Sequence, residues 1–253
     1  MLRLPSGYGR SLMILLVSAV LLSGCSTRSI SNTDPRGRND FYAGELKDSD
    51  VMGAVPPSKT ISDDDIKNAL NNAQQAFTLP ANANILLVQS GAMTPDVEMQ
   101  DALRKYYSIA LYSGIPPDTY RYGRLDTDTK QTVDYPRQLR LTAANGGQNK
   151  IMVYWGQLES GSENEVTKVV SWVPLVGGIL PDETQHMRIV LRIALIDVVS
   201  GRWTTFTPKV FDSEKVSGRY NRAAQDARQI QALKAEAYKA AADEIYQRFT
   251  HKS

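Results

Sequence analysis

Residues 187–198 have the sequence Met-Arg-Ile-Val-Leu-Arg-Ile-Ala-Leu-Ile-Asp-Val, the longest strand-like stretch of the chain. Successive side chains of a strand point to opposite faces, so one face of this stretch is entirely apolar. The other face carries Arg188 and Arg192 among apolar residues. The alternation predicts a long strand that covers a hydrophobic core. Its apolar face consists of Met187, Ile189, Leu191, Ile193 and Leu195.

Further strands are predicted on both sides of this stretch. After the turn 197–201, which starts with Asp and ends with Gly, the chain returns as a strand over 203–211. Pro208 inside that strand indicates an edge position or a bulge. Three earlier strands are predicted from branched and aromatic content at residues 85–88, 150–158 and 165–173.

Helical spacing of apolar residues predicts four helices. Ser62 caps the first, and the second opens at Thr94 and ends at Gly114. The third, over 134–144, would also fit a strand, whereas the last is long and extends from about Arg222 to Phe249. The element order predicts an α/β fold of the α+β sandwich type, with a mixed sheet of about four to five strands packed against helices.

The first 24 residues have the features of an export signal. Arg3 and Arg10 precede an apolar run of 11 residues, Leu12–Leu22. A helix of that length reaches only about 16 Å, roughly half the thickness of the hydrocarbon core. The run is too short to span a bilayer but suits a signal peptide, which we therefore predict over 1–24.

The run ends in Leu22-Ser23-Gly24-Cys25, which resembles the lipobox of bacterial lipoproteins. The resemblance implies cleavage between Gly24 and Cys25, diacylglycerol on the Cys25 sulfur, and an acyl chain on the new amine. Such lipidation exceeds the two signals that stable membrane anchoring needs. Ser26 follows the cysteine, and by resemblance to the sorting rule of enteric-type bacteria this implies the periplasmic face of the outer membrane rather than the inner membrane. Because Cys25 is the only cysteine, an intrachain disulfide is impossible.

The mature chain is predicted to have two parts. Residues 25–61 comprise the lipidated cysteine and a flexible tether rich in Ser, Thr, Asn, Asp, Gly and Pro, with a reach of about 30–35 Å as a random coil. Residues 62–253 form a single periplasmic domain. Without the signal peptide the chain has 27 basic and 27 acidic side chains. No basic footprint for nucleic acid remains, so we expect no nucleic-acid partner.

The body of the chain, over residues 82–249, resembles a group of periplasmic lipoproteins. The group comprises the curli secretion lipoprotein, the activator lipoproteins of penicillin-binding proteins and the amino-terminal domain of TolB-like proteins. Its members share an α/β sandwich with helices against a mixed sheet, and the curli member implies a subunit of a secretion channel. The stretches that carry the resemblance are 85–88, 153–156, 192–203 and 237–249.

The sequence offers little for catalysis. It has no G-x-S-x-G motif, no phosphate loop and no cluster of His, Cys, Asp and Glu with the spacing of a metal site. Of its two histidines, His186 and His251, only the first could serve a triad, and we interpret it as a solvated loop residue. We therefore expect no enzyme, no catalytic residue, no cofactor and no bound metal, and we disfavour an envelope hydrolase.

Residues 172–181, Trp-Val-Pro-Leu-Val-Gly-Gly-Ile-Leu-Pro, form an uncharged connection between two predicted strands. Loops are usually polar, so this one either folds over the core or exposes an apolar tip to the bilayer, to a partner or to a neighbouring copy. It is too short for a membrane-spanning hairpin, which disfavours a channel. The candidate interaction residues are Trp172, Val173, Leu175, Val176, Ile179 and Leu180.

These observations together predict a membrane-anchored, non-enzymatic lipoprotein of the cell envelope. We expect it to bind another envelope protein or to associate with itself. The alternative is a subunit of an outer-membrane secretion channel of the curli type.

Overall fold

The computed structural model describes residues 29–32, 44–53, 60–116, 134–163, 170–174, 186–214 and 222–250. The predicted signal peptide and Cys25 lie outside these ranges. In chain order, the elements are a 3-10 helix Ile30–Asn32, α1 Asp48–Met52, α2 Asp63–Ala73, β1 Asn84–Gln89, α3 Val97–Arg104, β2 Ser108–Tyr112, α4 Tyr135–Asn145, β3 Lys150–Glu163, β4 Val170–Pro174, β5 His186–Asp197, β6 Trp203–Phe206, β7 Phe211–Glu214 and α5 Arg222–Thr250.

The described strands form one mixed sheet with the order β2-β1-β3-β5-β6. β1 pairs in parallel with β2 and β3, whereas β5 is antiparallel to β3 and β6. The mixed sheet, its helical layers and the long C-terminal helix confirm the predicted fold class. Five strands lie on this main path, as predicted, and two short ones are added because β4 pairs with β3 and β7 with β5.

β3 is much longer than its parallel neighbour, and this creates an interval along one of its edges. β1 pairs with β3 only as far as Gln89 opposite Tyr154. On the same edge, β4 pairs with residues 159–163 of β3. Residues 155–158 therefore lie between the two partners, and we call this interval the β3 gap.

Hydrophobic clusters cover both faces of the sheet. One face carries Tyr154 and Leu191 and packs against α3 and α5. The other face carries Val153 and Ile196 and packs against Leu139 of α4. Full burial of one such side chain contributes about 1.5–3 kcal/mol, so the two clusters dominate the stability of a chain that has no disulfide. The predicted apolar stripe of the last helix is buried as expected, at Ile230, Leu233, Ala237, Ala241, Ile245 and Phe249.

The predicted second helix is wrong in its second half. α3 ends at Arg104, and β2 begins at Ser108. The apolar residues after Arg104 keep helical spacing, but the backbone there pairs with distant residues. The Ser108 N–H donates to the Ala83 carbonyl at 3.0 Å, and β2 then pairs along the whole of β1. The local spacing favours a helix, but hydrogen bonds to β1 hold these residues in a strand. The spacing of apolar residues does not show such a distant partner.

The predicted strand over 203–211 divides into two. β6 ends at Phe206 and β7 begins at Phe211, with Pro208 between them. Both pair with β5, β6 near its end and β7 near its start. The interruption fits the missing N–H of proline, which cannot continue a ladder.

The first predicted helix is confirmed as α2, and its cap is as expected. The Asp65 N–H donates to the Ser62 hydroxyl at 3.1 Å, and the Ser62 N–H donates back to the Asp65 carboxylate at 3.0 Å. Its apolar residues, however, find no core, because none of the side chains of α2 is buried.

Asp197 predicts an acid-dependent contribution to stability. Its burial disfavours ionisation, but hydrogen bonds from Lys150 and Ser200 outweigh this and lower its pKa to about 2. A carboxyl with a lowered pKa stabilises the fold above its ordinary pKa and loses that effect as pH falls. We expect Asp197→Asn to destabilise the protein by about 1–2 kcal/mol at pH 7, with the difference vanishing towards pH 2.

Urea unfolding at several pH values checks this expectation. Asp101→Asn is the matched control, because Asp101 forms only an exposed ion pair with Arg104. Equal and pH-independent effects of the two substitutions would show that the Lys150–Asp197 pair has no special role.

Candidate functional site

The short segment Ser29–Ser31 lies in the β3 gap. Ser29 forms an antiparallel bridge with Gln157 of β3. The Ser31 hydroxyl donates to the carbonyl of Ser90, just beyond the end of β1, at 2.6 Å. The side chain of Ile30 is buried in the core beneath α5. We call these three residues the docked segment.

Gly156 provides the space that Ile30 occupies. A Cβ atom at position 156 would lie 2.5 Å from Cδ1 of Ile30 and 2.9 Å from its Cγ1. Such distances are far inside van der Waals contact, so any side chain at this position competes with Ile30. Glycine is therefore required here for close packing.

A buried lysine on the C-terminal helix α5 also holds the docked segment. The ammonium of Lys234, on α5, donates to the Ile30 carbonyl at 2.9 Å and to the Asp96 carboxylate at 2.8 Å. The lysine side chain is only 4% exposed. Tyr238 also donates to Asp96, at 2.6 Å. A buried ammonium needs an opposite charge and further acceptors, and here Asp96 and the Ile30 carbonyl supply them.

Gln89 connects this cluster to the sheet. Its side-chain amide donates to the Ser31 hydroxyl at 3.0 Å, and its carbonyl oxygen accepts from Tyr154 at 2.5 Å and from the Asp96 N–H at 2.7 Å. Burial, reinforced by the Asp96 charge, raises the pKa of Tyr154 well above its ordinary value. The phenol therefore stays protonated and keeps its role as a donor.

A second segment of the predicted tether, residues 44–53, also packs on the domain. The Leu46 N–H donates to the Ser90 hydroxyl at 2.8 Å, and the Trp155 indole donates to the Leu46 carbonyl at 2.8 Å. The Ser29 hydroxyl donates to the Glu45 carboxylate at 2.5 Å, which joins the two segments. The flexible-tether prediction is thus wrong for these two segments, because their isolated apolar residues fill sites on the sheet.

Docking shortens the connection to Cys25 considerably. Ser29 is the fourth residue after Cys25, so four Cα–Cα steps join the two. Fully extended, these four steps reach about 14 Å, less than half of the reach expected for a coil over 26–61. Whatever is attached to Cys25 is held close to the β3 gap.

An open groove lies on the other face of the sheet, beside this segment. The guanidinium of Arg192 lies 4.4 Å from the centre of the Trp155 ring and pairs with Asp48. The groove has a volume of about 400 Å³. Burial raises the pKa of Glu45 at its rim, against the lowering effects of the Ser29 hydrogen bond and the Arg192 charge. The lining residues are Glu45, Leu46, Trp155, Gly156, Gln157, Val190, Arg192 and Thr207.

Of the candidate interaction loop, the structure describes only the beginning. Trp172 lies in β4, with the Arg188 guanidinium 4.2 Å from its ring centre and the His186 ring edge-on at 6.2 Å. Val173 pairs with Ser160 of β3, and Pro174 pairs with Glu159. Outside the described residues lie Gly24, Cys25, Leu175, Val176, Ile179 and Leu180.

The carboxyl end of β4, which belongs to the uncharged stretch, lies close to the docked segment. Pro174 lies opposite Glu159, two residues along β3 from Gln157, which bridges Ser29. The docked segment and the start of this stretch therefore share one edge of β3. Sequence reasoning identified Trp172 but gave no sign of this proximity.

Sequence reasoning also missed the residues that hold the docked segment. Ile30 is a lone apolar residue in a polar stretch, and Gly156 lies within a strand-like run. Lys234 sits on an alanine-rich helix, where a lysine normally faces solvent. Only its position next to Leu233, which belongs to the buried apolar stripe, could have indicated that Lys234 is buried.

Lys234→Met is expected to destabilise the protein by about 3 kcal/mol, because it leaves Asp96 and the Ile30 carbonyl without their shared donor. Lys239→Met on the exposed side of the same helix is the control and should change stability by less than about 0.5 kcal/mol. Urea unfolding measures both. Equal stability of the two variants would argue against a clamping role for Lys234.

Within the described ranges, no three or more His, Cys, Asp and Glu side chains are grouped as a metal site would require. A search of the same residues finds no helix with the length and hydropathy of a membrane span.

A family model described as YafT bacterial lipoprotein matches residues 47–248. No curated protein matches the chain. Among solved structures, two of the PelC dodecamer from Paraburkholderia phytofirmans are similar, one of them a point variant. The variant is 11% identical with a TM-score of 0.28 and covers 64% of this chain and 92% of its own. The other is 13% identical with a TM-score of 0.27 and covers 65% and 94%. Scores this low establish neither a shared fold nor a shared function.

Proposed function

The chain belongs to the YafT bacterial lipoprotein family, and from this premise we propose that it is a non-enzymatic binding module of the cell envelope. Lipid on Cys25 holds it on the periplasmic face of the outer membrane. There it binds a second envelope protein or another copy of itself through the open groove. The family establishes a membrane-anchored lipoprotein, and the geometry of the docked segment supports a restricted orientation of the domain beside the membrane.

The observation that carries this proposal is the docking of Ser29–Ser31 only four residues after Cys25. A domain on a long coil would present every face at random. A domain held by a connection of about 14 Å presents a restricted set of faces to its surroundings. Such restriction suits a module that meets a partner beside the membrane.

The groove has the composition of a protein-binding surface. Tryptophan and arginine are enriched among residues that dominate binding energies. Trp155 is fixed by its hydrogen bond to the Leu46 carbonyl, and the half-exposed Arg192 guanidinium stacks on this largely buried ring. A preorganised pair loses little conformational entropy when a partner covers it.

The non-enzymatic role is supported by the uses of the polar groups in the described core. Lys234, Asp96 and Tyr238 hold the docked segment. His186, the histidine that a triad would have needed, lies against the Trp172 ring. These contacts explain the groups as structural elements.

A photoreactive amino acid at Val190, inside the groove, tests the proposal in cells. We expect a crosslinked protein product whose mass identifies a second copy or another envelope protein. Arg192→Ala should reduce the product about tenfold, the effect of losing about 1.4 kcal/mol of binding energy. Arg137→Ala on α4, which removes only an exposed pair with Asp134, is the matched control.

The proposal would be overturned by a membrane-localised protein that yields no protein product from position 190. If Arg192→Ala left the amount of crosslinked product unchanged, the groove would not be part of the binding surface.

A further inference from the structure

We propose that the loop between β1 and α3, together with the first residue of α3, is a second membrane contact of the domain, at which Met93 and Val97 enter the lipid interface beside the acylated Cys25. The partner is the bilayer that holds the anchor. This inference rests on the proposed lipid anchor, and it adds an orientation of the domain on the membrane.

The loop lies close to the point from which the anchor leaves the domain. Gln89, at the end of β1, pairs with Tyr154, whereas Ser29 bridges Gln157 three residues further along the same edge of β3. That spacing corresponds to about 10 Å. Because Cys25 lies within about 14 Å of Ser29, the membrane surface that holds its acyl chains is within reach of this loop.

The side chains of the loop suit a lipid interface. Met93 is 63% exposed and Val97 is 61% exposed. Residues 91–95 carry no charge, and the carboxylate of Asp96 accepts from Lys234 and Tyr238 instead of facing solvent alone. The transfer of exposed apolar side chains from water to lipid is favourable. Methionine also adapts readily to an irregular surface.

The backbone holds the loop in place. The Gly91 N–H donates to the Gly114 carbonyl at 2.9 Å, and the Gly114 N–H donates to the Ala92 carbonyl at 2.8 Å. Gly114 lies so close to β1 that a Cβ there would be 1.9 Å from the Gln89 carbonyl oxygen. Met93 is therefore presented by a fixed turn.

The opposite end of the domain provides a matched comparison. Leu70 of α2 is 64% exposed. α2 ends at Ala73, just before Gln75, whose carbonyl accepts from Arg202 near the start of β6. Leu70 thus lies near the amino end of β1, about 20 Å of strand away from the anchor side. Leu70 and Met93 are thus almost equally exposed but lie at different distances from the anchor.

Fluorescence quenching by lipid distinguishes the two ends. Lipidation blocks Cys25, so Met93→Cys, Val97→Cys and Leu70→Cys each provide one free thiol for bimane. Each full-length lipidated variant is placed in vesicles of phosphatidylethanolamine and phosphatidylglycerol containing a phosphatidylcholine spin-labelled near its carbonyl. We expect bimane at 93 and 97 to lose about half of its fluorescence or more, and bimane at 70 to lose almost none, because interfacial side chains lie at the depth of the label.

Each of the other possible results of this experiment contradicts either the second membrane contact or the lipid anchor. If the variants float with the vesicles but bimane at 93 and 97 is not quenched, the second contact is absent and the lipid anchor stands. Equal quenching at 70 and 93 would show unspecific adsorption and also overturn it. If the protein does not float with the vesicles at all, the anchor itself fails, and with it this inference.

Discussion

Gly156→Val is expected to expel Ile30 from its site and to destabilise the protein by about 2–4 kcal/mol. The valine side chain would occupy the space of Ile30, whose Cδ1 lies 2.5 Å from a Cβ at position 156. The loss combines overpacking with the lost burial of one isoleucine. Urea unfolding measures the change, and faster proteolysis between Cys25 and Glu45 would report the release of the segment.

A double-mutant cycle separates this mechanism from general damage to β3. Ile30→Ala should cost about 3 kcal/mol in the native background, because it leaves a cavity under α5. In the Gly156→Val background the same substitution should cost almost nothing, since Ile30 has already left its site. Additive effects of the two substitutions would show that Ile30 and Gly156 are not coupled.

Cys25→Ser is expected to abolish lipidation and to leave an uncleaved precursor. A serine hydroxyl cannot form the thioether to diacylglycerol, so the acylated mature form should disappear completely. Incorporation of labelled palmitate and the mass of the protein check both points. Ser26→Ala, at the neighbouring position, should keep lipidation and cleavage. Mature-size protein in the membranes of the Cys25→Ser strain would contradict the assignment.

The regular elements could be predicted because their patterns are local. The alternation over 187–198 identified the long strand β5, and the stripe from Ile230 to Phe249 identified α5. β2 was missed because its residues continue the spacing of the preceding helix, whereas its strand structure depends on hydrogen bonds to β1. Pairing between distant segments does not appear in the local sequence pattern.

Of the candidate site, the sequence made a prediction only at Cys25, which lies outside the described residues. The sequence around Cys25 points to lipidation because a processing motif is a contiguous signal. The docked segment depends instead on Ile30, Gly156 and Lys234, which come from three distant parts of the chain. Each of them is unremarkable in its own surroundings, so their complementarity appears only in the fold.

The central claim is that the docked segment holds the lipid-anchored domain against the membrane. Neutron reflectometry of the lipidated protein on a supported bilayer measures the thickness of the hydrated layer between lipid headgroups and protein. The account predicts a layer of at most about 14 Å for the native protein and a thicker one for Gly156→Val. A layer of about 30 Å under the native protein, as a free coil over residues 26–61 would produce, would contradict it.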